Sequence, residues 1–200
     1  MSNMNDESCS ALALADAAPR TLGRVGIIGA GAAGAGIATK LLDADVPVTL
    51  VDASRESVAQ AIGQIRSGYQ AGLDQGALAQ EKFERRMALL TGTDYFHHLK
   101  DCDLIIEAGE ADLDASEDLF RRLDQVAKPG AILMTNAAPG GVDRIARGTR
   151  RGGEVLGWRV PDPVGASGMG ELVCGKQTSA DTLASVMALA ALFHEAPPGN

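Results

Sequence analysis

The sequence predicts an α/β fold built on a doubly wound, mostly parallel sheet, and three observations predict it. Short apolar segments, which are typical of buried strands, alternate with longer segments that are typical of helices. A glycine-rich turn, GAGAAG at 29–34, joins the first apolar segment to an alanine-rich one. An acidic residue, Asp52, closes the second apolar segment, 23 residues after Gly29. In such a sheet, ligands bind at the carboxyl ends of the strands.

The elements can be assigned in order along the chain. Residues 1–22 lack periodicity, so we expect a flexible N-terminal tail, followed by one domain at 23–200. Residues 53–86 carry two helical patterns, with Ser54 as a candidate N-cap, and predict a helical hairpin inserted after the second strand, on the rim of the ligand cleft. The remaining strands are predicted at about 24–28, 46–51, 103–106, 131–135 and 154–158, and the remaining helices at 32–43, 114–127 and 141–148.

The turn at 29–34 has the glycine spacing of a Rossmann-type dinucleotide site. Gly29 permits the sharp turn, Gly31 leaves room for a pyrophosphate, and Gly34 lets the helix pack closely on the strand. Asp52 is placed to accept hydrogen bonds from the adenosine ribose, which favours NAD over NADP, although the nearby Arg55 blurs this preference. Proteins that bind a flavin dinucleotide have the same turn, but nothing else in this sequence supports a flavin. The other alternative is a glycine-rich turn that binds no ligand.

Composition and charge exclude several classes of function. The net charge of −8 and the isoelectric point near 4.8 argue against nucleic acid as a partner. No segment has the roughly 18 apolar residues of a membrane span, so no membrane association is expected. Cys9, Cys102 and Cys174 are odd in number and widely spaced, which predicts reduced thiols, a cytoplasmic location and no metal site.

Beyond the turn, the chain resembles the NAD-binding domain of the 3-hydroxyacyl-CoA dehydrogenases, a family of oxidoreductases of fatty acid metabolism. The resemblance covers about residues 23–195 and rests on four further segments in the family's order: LIIEA at 104–108, ILMTN at 132–136, GWRVPDPV at 157–164, and ELVCG at 171–175 before Thr178 and Ser179. It implies NAD as cofactor and an acyl-CoA as ligand. The implied cofactor-binding residues are Gly29, Ala30, Gly31, Ala32, Ala33, Gly34, Asp52, Ala108 and Asn136.

The chain departs from the family where the chemistry is done. In the family, a histidine in the third of these segments is the general base for the 3-hydroxyl group, and a glutamate orients it; the corresponding residues here are Arg159 and Glu171. A guanidinium cannot accept a proton near neutral pH. We therefore expect Arg159 and Glu171 to form an ion pair between two strands. They remain candidate catalytic residues by position, together with Asn136, which is retained.

Three other family positions have also changed. The serine that contacts the substrate oxygen corresponds to Ala138, an acidic residue after the LIIEA segment corresponds to Ala111, and a following lysine corresponds to Ser116. No histidine is placed to replace the base, and Glu107, Glu110 or Glu171 would need a raised pKa to do so. The family also has a helical C-terminal domain that closes over the substrate and usually forms the dimer. We expect this chain to lack that domain.

Three functional hypotheses follow. In the first, the chain is an NAD-dependent 3-hydroxyacyl-CoA dehydrogenase with impaired or lost catalysis, and with lost catalysis it is a pseudoenzyme. In the second, it is a non-catalytic module that binds NAD or acyl-CoA or docks on a partner. In the third, it is one half of a split enzyme. Because apolar surface would be left bare where the helical domain docks, we expect a homo-oligomer or a partner chain.

Overall fold

The computed structural model describes residue 9 and residues 17–109, 112–159 and 171–195. Within these residues a seven-stranded sheet has the order β3-β2-β1-β4-β5-β6-β7. Six strands are parallel, and β7 is antiparallel to β6. The predicted fold class is therefore confirmed. The strands are β1 (Val25–Ile28), β2 (Val48–Val51), β3 (Leu90–Thr93), β4 (Leu104–Glu107), β5 (Ile132–Thr135), β6 (Val155–Arg159) and β7 (Glu171–Cys174).

Helices cover both faces of the sheet, as a doubly wound fold requires. They are α1 (Ala32–Asp43), α2 (Arg55–Asp74), α3 (Gln80–Ala88), α4 (Leu113–Val126), α5 (Pro139–Arg147) and α6 (Ala180–Glu195), with short 3-10 helices at Phe96–Asp101 and Gly152–Glu154. Helices α1, α2 and α6 pack on one face, where Ile27 and Leu50 point. Helices α4 and α5 pack on the other face, where Ile105 and Leu133 point. Burial on both faces explains why the central strands are continuous apolar runs.

The helical hairpin is present, but its position differs from the expected one. Ser54 caps α2 as predicted, because its hydroxyl accepts a hydrogen bond from the Ser57 amide at 3.1 Å. Further along α2, the Tyr69 hydroxyl donates to the Thr39 carbonyl at 3.2 Å, near the C-terminal end of α1. The hairpin therefore runs from the carboxyl edge of the sheet toward the opposite edge. Only its first turn lies at the rim of the expected ligand cleft.

The edge strand β3 was absent from the sequence-based assignment, which took residues 103–106 as the third strand. It comprises Leu90, two threonines and Gly92, a pattern too short and too polar to stand out. A Cβ on Gly92 would lie 2.4 Å from Ile62 Cδ1 and 2.6 Å from Val58 Cγ1, so a side chain there would require side chains of α2 to shift. The strand is thus specified by its tertiary neighbours rather than by its own composition.

The prediction that all three thiols are reduced is wrong. Cys9 and Cys174 form a disulfide across a sequence separation of 165, and Cys102 is a free, buried thiol. Spacing along the sequence could not reveal this pair, because only the fold brings residue 9 to β7. Nearby, the Arg20 amide donates to the Ser185 hydroxyl of α6 at 2.7 Å. The tail boundary at residue 22 stays a prediction.

The length and composition of the helices decide whether one of them could cross a membrane. Across the described ranges, none combines the length and the apolar character that crossing a bilayer requires.

Candidate functional site

The glycine turn between β1 and α1 has the geometry predicted for each of its three glycines. Gly29 has a φ of +106°, a conformation that strongly favours glycine. A Cβ on Gly34 would lie 1.9 Å from the Gly29 carbonyl oxygen, so only glycine allows this close approach of helix and turn. A Cβ on Gly31 would have no described heavy atom within 4 Å. Gly31 therefore faces open space, where a ligand can approach the backbone.

The N-terminus of α1 points its free amides into the same space. Gly31 is the N-cap and supplies no capping side chain, and the first turn contains no acidic residue. The first hydrogen bond of the helix runs from the Ala35 amide to the Gly31 carbonyl at 2.9 Å. The preceding amides, those of Ala32, Ala33 and Gly34, have no partner within the helix. Together with the helix dipole, they form a site suited to a phosphate.

Asp52 lies at the end of β2, directly beside this turn. Its Oδ2 accepts a hydrogen bond from the Ala30 amide at 2.9 Å, and its Oδ1 accepts one from the Ser54 amide at 2.9 Å. These two bonds fix the carboxylate at the edge of the cleft, where a ribose hydroxyl would meet it. The Arg55 side chain forms an ion pair with Asp94 instead, with its Nε 2.6 Å from Asp94 Oδ2. The hydrogen bond and charge of Asp94 raise the pKa of Arg55 above its ordinary value.

A cleft of about 380 Å³ opens at the carboxyl ends of β4 and β5, between the N-termini of α4 and α5. We call it the β4–β5 cleft. Its floor is a buried cluster of three side chains, those of Glu107, Ser116 and Thr135. Glu107 Oε1 accepts a hydrogen bond from the Ser116 hydroxyl at 2.8 Å, and Oε2 accepts one from the Thr135 hydroxyl at 2.7 Å. The lining residues are Glu107, Gly109, Leu113, Ser116, Thr135, Asn136, Ala137, Ala138 and Gly141.

Several residues singled out in the sequence converge on the β4–β5 cleft. Asn136 and Ala138 line it, and both are exposed. Ala108 lies between this cleft and the glycine turn, because its amide donates to the Ile28 carbonyl at 2.8 Å. Ala111 and Glu110 lie outside the described residues. Thr135 was missed in the sequence; the available signal was a hydroxyl residue that ends an apolar strand and precedes Asn136.

Arg159 and Glu171 are brought together as expected, but not in the lining of the β4–β5 cleft. Arg159 Nη1 lies 2.5 Å from Glu171 Oε2, and the two side chains are 55% and 59% exposed. The pair joins the ends of β6 and β7, where the two residues are partners in the antiparallel register. At this exposure it is a solvent-screened contact rather than a buried ion pair.

The glycine turn and the β4–β5 cleft together fit a dinucleotide. The turn and the N-terminus of α1 can hold a pyrophosphate, and Asp52 can bind the ribose on the β2 side. In a doubly wound sheet the other nucleotide half then extends across the switch in strand order toward β4 and β5. Asn136 and the hydroxyls around Glu107 are polar groups available there.

Comparison with known proteins places the chain in a family. Residues 24–197 match the family model described as the NAD-binding domain of 3-hydroxyacyl-CoA dehydrogenase. A peroxisomal fatty acid beta-oxidation multifunctional protein of Arabidopsis thaliana is 28% identical over 84% of this chain and 23% of its own length. A fatty acid oxidation complex subunit alpha of Vibrio vulnificus is 29% identical over 88% of this chain and 25% of its own length. The chain thus spans about a quarter of the length of the curated relatives it matches.

Solved structures show the same similarity. A crystal structure of 3-hydroxybutyryl-CoA dehydrogenase from Escherichia coli has a TM-score of 0.82 at 28% identity, over 88% of this chain and 37% of that one. A crystal structure of (S)-3-hydroxybutyryl-CoA dehydrogenase from Ralstonia eutropha has a TM-score of 0.80 at 26% identity, over 86% of this chain and 61% of that one.

Proposed function

The chain belongs to the 3-hydroxyacyl-CoA dehydrogenase family and carries its NAD-binding domain, and we propose that it binds NAD(H) without catalysing the family's reaction efficiently. One observation carries the second part of the proposal. Arg159, paired with Glu171, occupies the position that corresponds to the family's general base. The nucleotide-binding turn keeps its glycines and Asp52, whereas the proton-transfer half keeps the glutamate position as Glu171 but has Arg159 in place of the histidine and Ala138 in place of the serine.

For cofactor binding, each group of the turn has a separate role. The amides of Ala32, Ala33 and Gly34 bind the pyrophosphate, and Gly31 leaves the approach open. Asp52 accepts from the adenosine ribose, and its charge opposes a 2′-phosphate, which favours NAD over NADP. Ala30, Ala108 and Asn136 complete the contact surface toward the nicotinamide half. The bound nicotinamide supplies the hydride acceptor or donor that this family's chemistry uses.

For catalysis, two groups would be needed that the chain does not supply at the corresponding positions. Oxidation of a 3-hydroxyl group requires a base, and reduction of the ketone requires an acid, whereas the guanidinium of Arg159 exchanges no proton near neutral pH. Ala138, which lines the β4–β5 cleft, has no hydroxyl to contact a substrate oxygen. Loss of general acid–base catalysis alone costs about 10²- to 10⁴-fold in rate.

The runner-up function is an active dehydrogenase that uses another base. Glu107 is the carboxylate of the β4–β5 cleft that could serve as the base in place of a histidine. It is only 4% exposed, however, and both of its oxygens already accept hydrogen bonds from hydroxyls. This arrangement holds the carboxylate in place and does not present a free oxygen to a substrate. We therefore favour the non-catalytic proposal.

Acyl-CoA binding and association with a second chain belong to the same proposal. The relatives are fatty acid oxidation proteins, which supports an acyl-CoA as ligand. Met187 and Leu192 on α6 are 46% and 41% exposed, which supports a docking face for a copy of this chain, a partner or the other half of a split enzyme. A cytoplasmic location remains a proposal, although the Cys9–Cys174 disulfide removes the thiol argument for it.

Two measurements test the proposal together. Calorimetric titration with NAD⁺ and NADH should show binding, and Asp52→Ala should weaken NAD⁺ binding while leaving the chain folded. In a second assay, the protein is incubated with acetoacetyl-CoA and NADH, and the NADH absorbance should not fall at an ordinary enzymatic rate. Absence of binding to either nucleotide would refute the first part, and rapid turnover would refute the second.

A further inference from the structure

The floor of the β4–β5 cleft holds a buried carboxylate that is hydrogen-bonded but not neutralised. Glu107 is 4% exposed, and its two oxygens accept from the hydroxyls of Ser116 and Thr135 at 2.8 Å and 2.7 Å. Both donors are themselves buried and uncharged. A carboxyl group that accepts at both oxygens has the pattern of the ionised form. The hydroxyls therefore solvate a negative charge without cancelling it.

Among the residues that the structure describes, no cationic side chain forms an ion pair with the Glu107 carboxylate. The residues outside the described ranges contain no lysine, arginine or histidine. The ion-pair group that bridges α4 and α5 sets two cations, Arg121 and Arg144, against three carboxylates, those of Asp114, Glu117 and Asp118. Its net charge is also negative.

The helix ends around the cleft do not reverse this sign. Asp112 caps α4 by accepting from the Ala115 amide at 2.8 Å, and its carboxylate offsets the positive end of that helix. The N-terminus of α5 has no side-chain cap, and its dipole amounts to only about half a unit charge. Arg159 is not among the cleft's lining residues and is paired with Glu171. The cleft floor therefore carries negative potential.

This potential acts on one redox form of the cofactor more than on the other. The next step rests on the proposed function, in which the adenosine half lies beside Asp52 and the nicotinamide half reaches the ends of β4 and β5. The nicotinamide ring is a cation in NAD⁺ and neutral in NADH. A fixed anion in a partly water-excluded cleft attracts the cation and has no comparable interaction with the neutral ring.

We propose that Glu107 makes the β4–β5 cleft select the oxidised cofactor, so that the chain binds NAD⁺ more tightly than NADH. Ser116 is the position from which this preference can be removed, because its hydroxyl lies 2.8 Å from the carboxylate. A cation placed there would neutralise Glu107. The chain would thereby report the oxidised fraction of the NAD pool, a role that requires binding but no turnover.

The test is a set of calorimetric titrations of the full chain with NAD⁺ and with NADH. The wild type should bind NAD⁺ about tenfold more tightly than NADH, which corresponds to about 1.4 kcal/mol. Glu107→Gln should weaken NAD⁺ binding by about tenfold, change NADH binding little, and bring the ratio near one. Ser116→Lys should lower the ratio in the same way. Glu81→Gln, an exposed residue of α3, is the matched control for one lost negative charge and should leave the ratio unchanged.

The outcomes separate this inference from the function on which it rests. If both nucleotides bind equally in the wild type, or NADH binds better, the inference is overturned and the proposed function stands. An unchanged ratio in Glu107→Gln also overturns it. If neither nucleotide binds, the proposed function fails and the inference fails with it. Should Glu107→Gln not fold, Ser116→Lys decides by the same ratio.

Discussion

Arg159 and Glu171 lie directly opposite each other in the antiparallel β6–β7 pair and form an ion pair whose two side chains are 55% and 59% exposed. Cross-strand pairs of opposite charge contribute a few tenths of a kcal/mol to about 1 kcal/mol, and solvent screening keeps exposed pairs in that range. We predict a coupling energy of about 0.2–1 kcal/mol from a double-mutant cycle of Arg159→Gln and Glu171→Gln in urea unfolding. A coupling near the 3–5 kcal/mol of a buried pair would contradict the observed exposure.

Substitution of Gly31 should affect ligand binding more than stability, whereas substitution of Gly34 should affect stability first. Gly31→Val should fold with a loss of at most about 1 kcal/mol, because a Cβ there meets no described atom within 4 Å, yet its side chain should block the pyrophosphate and abolish NAD⁺ binding. Gly63→Ala, on the open side of α2, is the matched control and should bind NAD⁺ normally. Retained affinity in Gly31→Val would show that the ligand binds elsewhere.

Gly34 should respond in the reverse sense. Its Cβ would lie 1.9 Å from the Gly29 carbonyl oxygen, a backbone atom that cannot move aside cheaply. We predict that Gly34→Ala lowers the free energy of unfolding by about 1–3 kcal/mol, because overpacking forces the helix away from the strand. Thermal unfolding without ligand measures this. A melting temperature equal to that of the wild type would mean that the close contact between helix and turn is absent in solution.

Asp124 gives the fold a defined dependence on pH. It accepts hydrogen bonds from the Nε atoms of Arg150 and Arg151 at 2.8 Å and 2.9 Å, which ties the end of α4 to the segment before β6. Burial raises the pKa of Asp124, but the hydrogen bonds from Arg150 and Arg151 outweigh it and hold the pKa below its ordinary value. A depressed pKa stabilises the fold above the unfolded value of about 3.9, and the gain is lost as the pH falls through the folded value.

Asp124→Asn tests this relationship. The variant should lose about 1–3 kcal/mol of stability at pH 7, because the largely buried Arg151 loses its carboxylate partner. Urea unfolding of both proteins should show the difference shrinking below about pH 4. A difference that is constant from pH 7 to pH 3 would indicate that packing, and not charge, sets the contribution of this residue.

The number of reactive thiols tests the Cys9–Cys174 disulfide directly. The chain has three cysteines, of which Cys102 alone is free. Burial raises the pKa of the Cys102 thiol to about 11, so it should not react in the folded chain near neutral pH. We predict one reactive thiol after denaturation without reductant and three after reduction. Three thiols before reduction would restore the original expectation. Cys174→Ser should cost about 2–5 kcal/mol of stability.

How much the sequence could predict depended on whether the signal was local. The glycine turn and Asp52 were predictable because the local sequence alone sets the backbone conformation of the turn and places Asp52 at the end of β2. Strand β3 and the Cys9–Cys174 bond were not, because both are defined by neighbours distant in sequence. The pairing of Arg159 with Glu171 followed from family positions, but their exposure did not, because it depends on what covers the end of β6.

The last prediction concerns activity. With Arg159 unable to exchange a proton, turnover of acetoacetyl-CoA with NADH should fall about 10²- to 10⁴-fold below an ordinary value near 10 per second, to about 10⁻³–10⁻¹ per second.

Arg159→His would place an imidazole opposite Glu171, where the carboxylate can orient it. We nevertheless expect this single change to leave the rate well below the ordinary range, because Ala138 still offers no hydrogen bond to the substrate oxygen. Absorbance at the NADH band follows both proteins under the same conditions. NAD⁺ titration of the variant serves as the control that its binding site is intact. Ordinary turnover in the unmodified chain would reveal a proton donor other than residue 159, and full recovery in Arg159→His would show that residue 138 is dispensable.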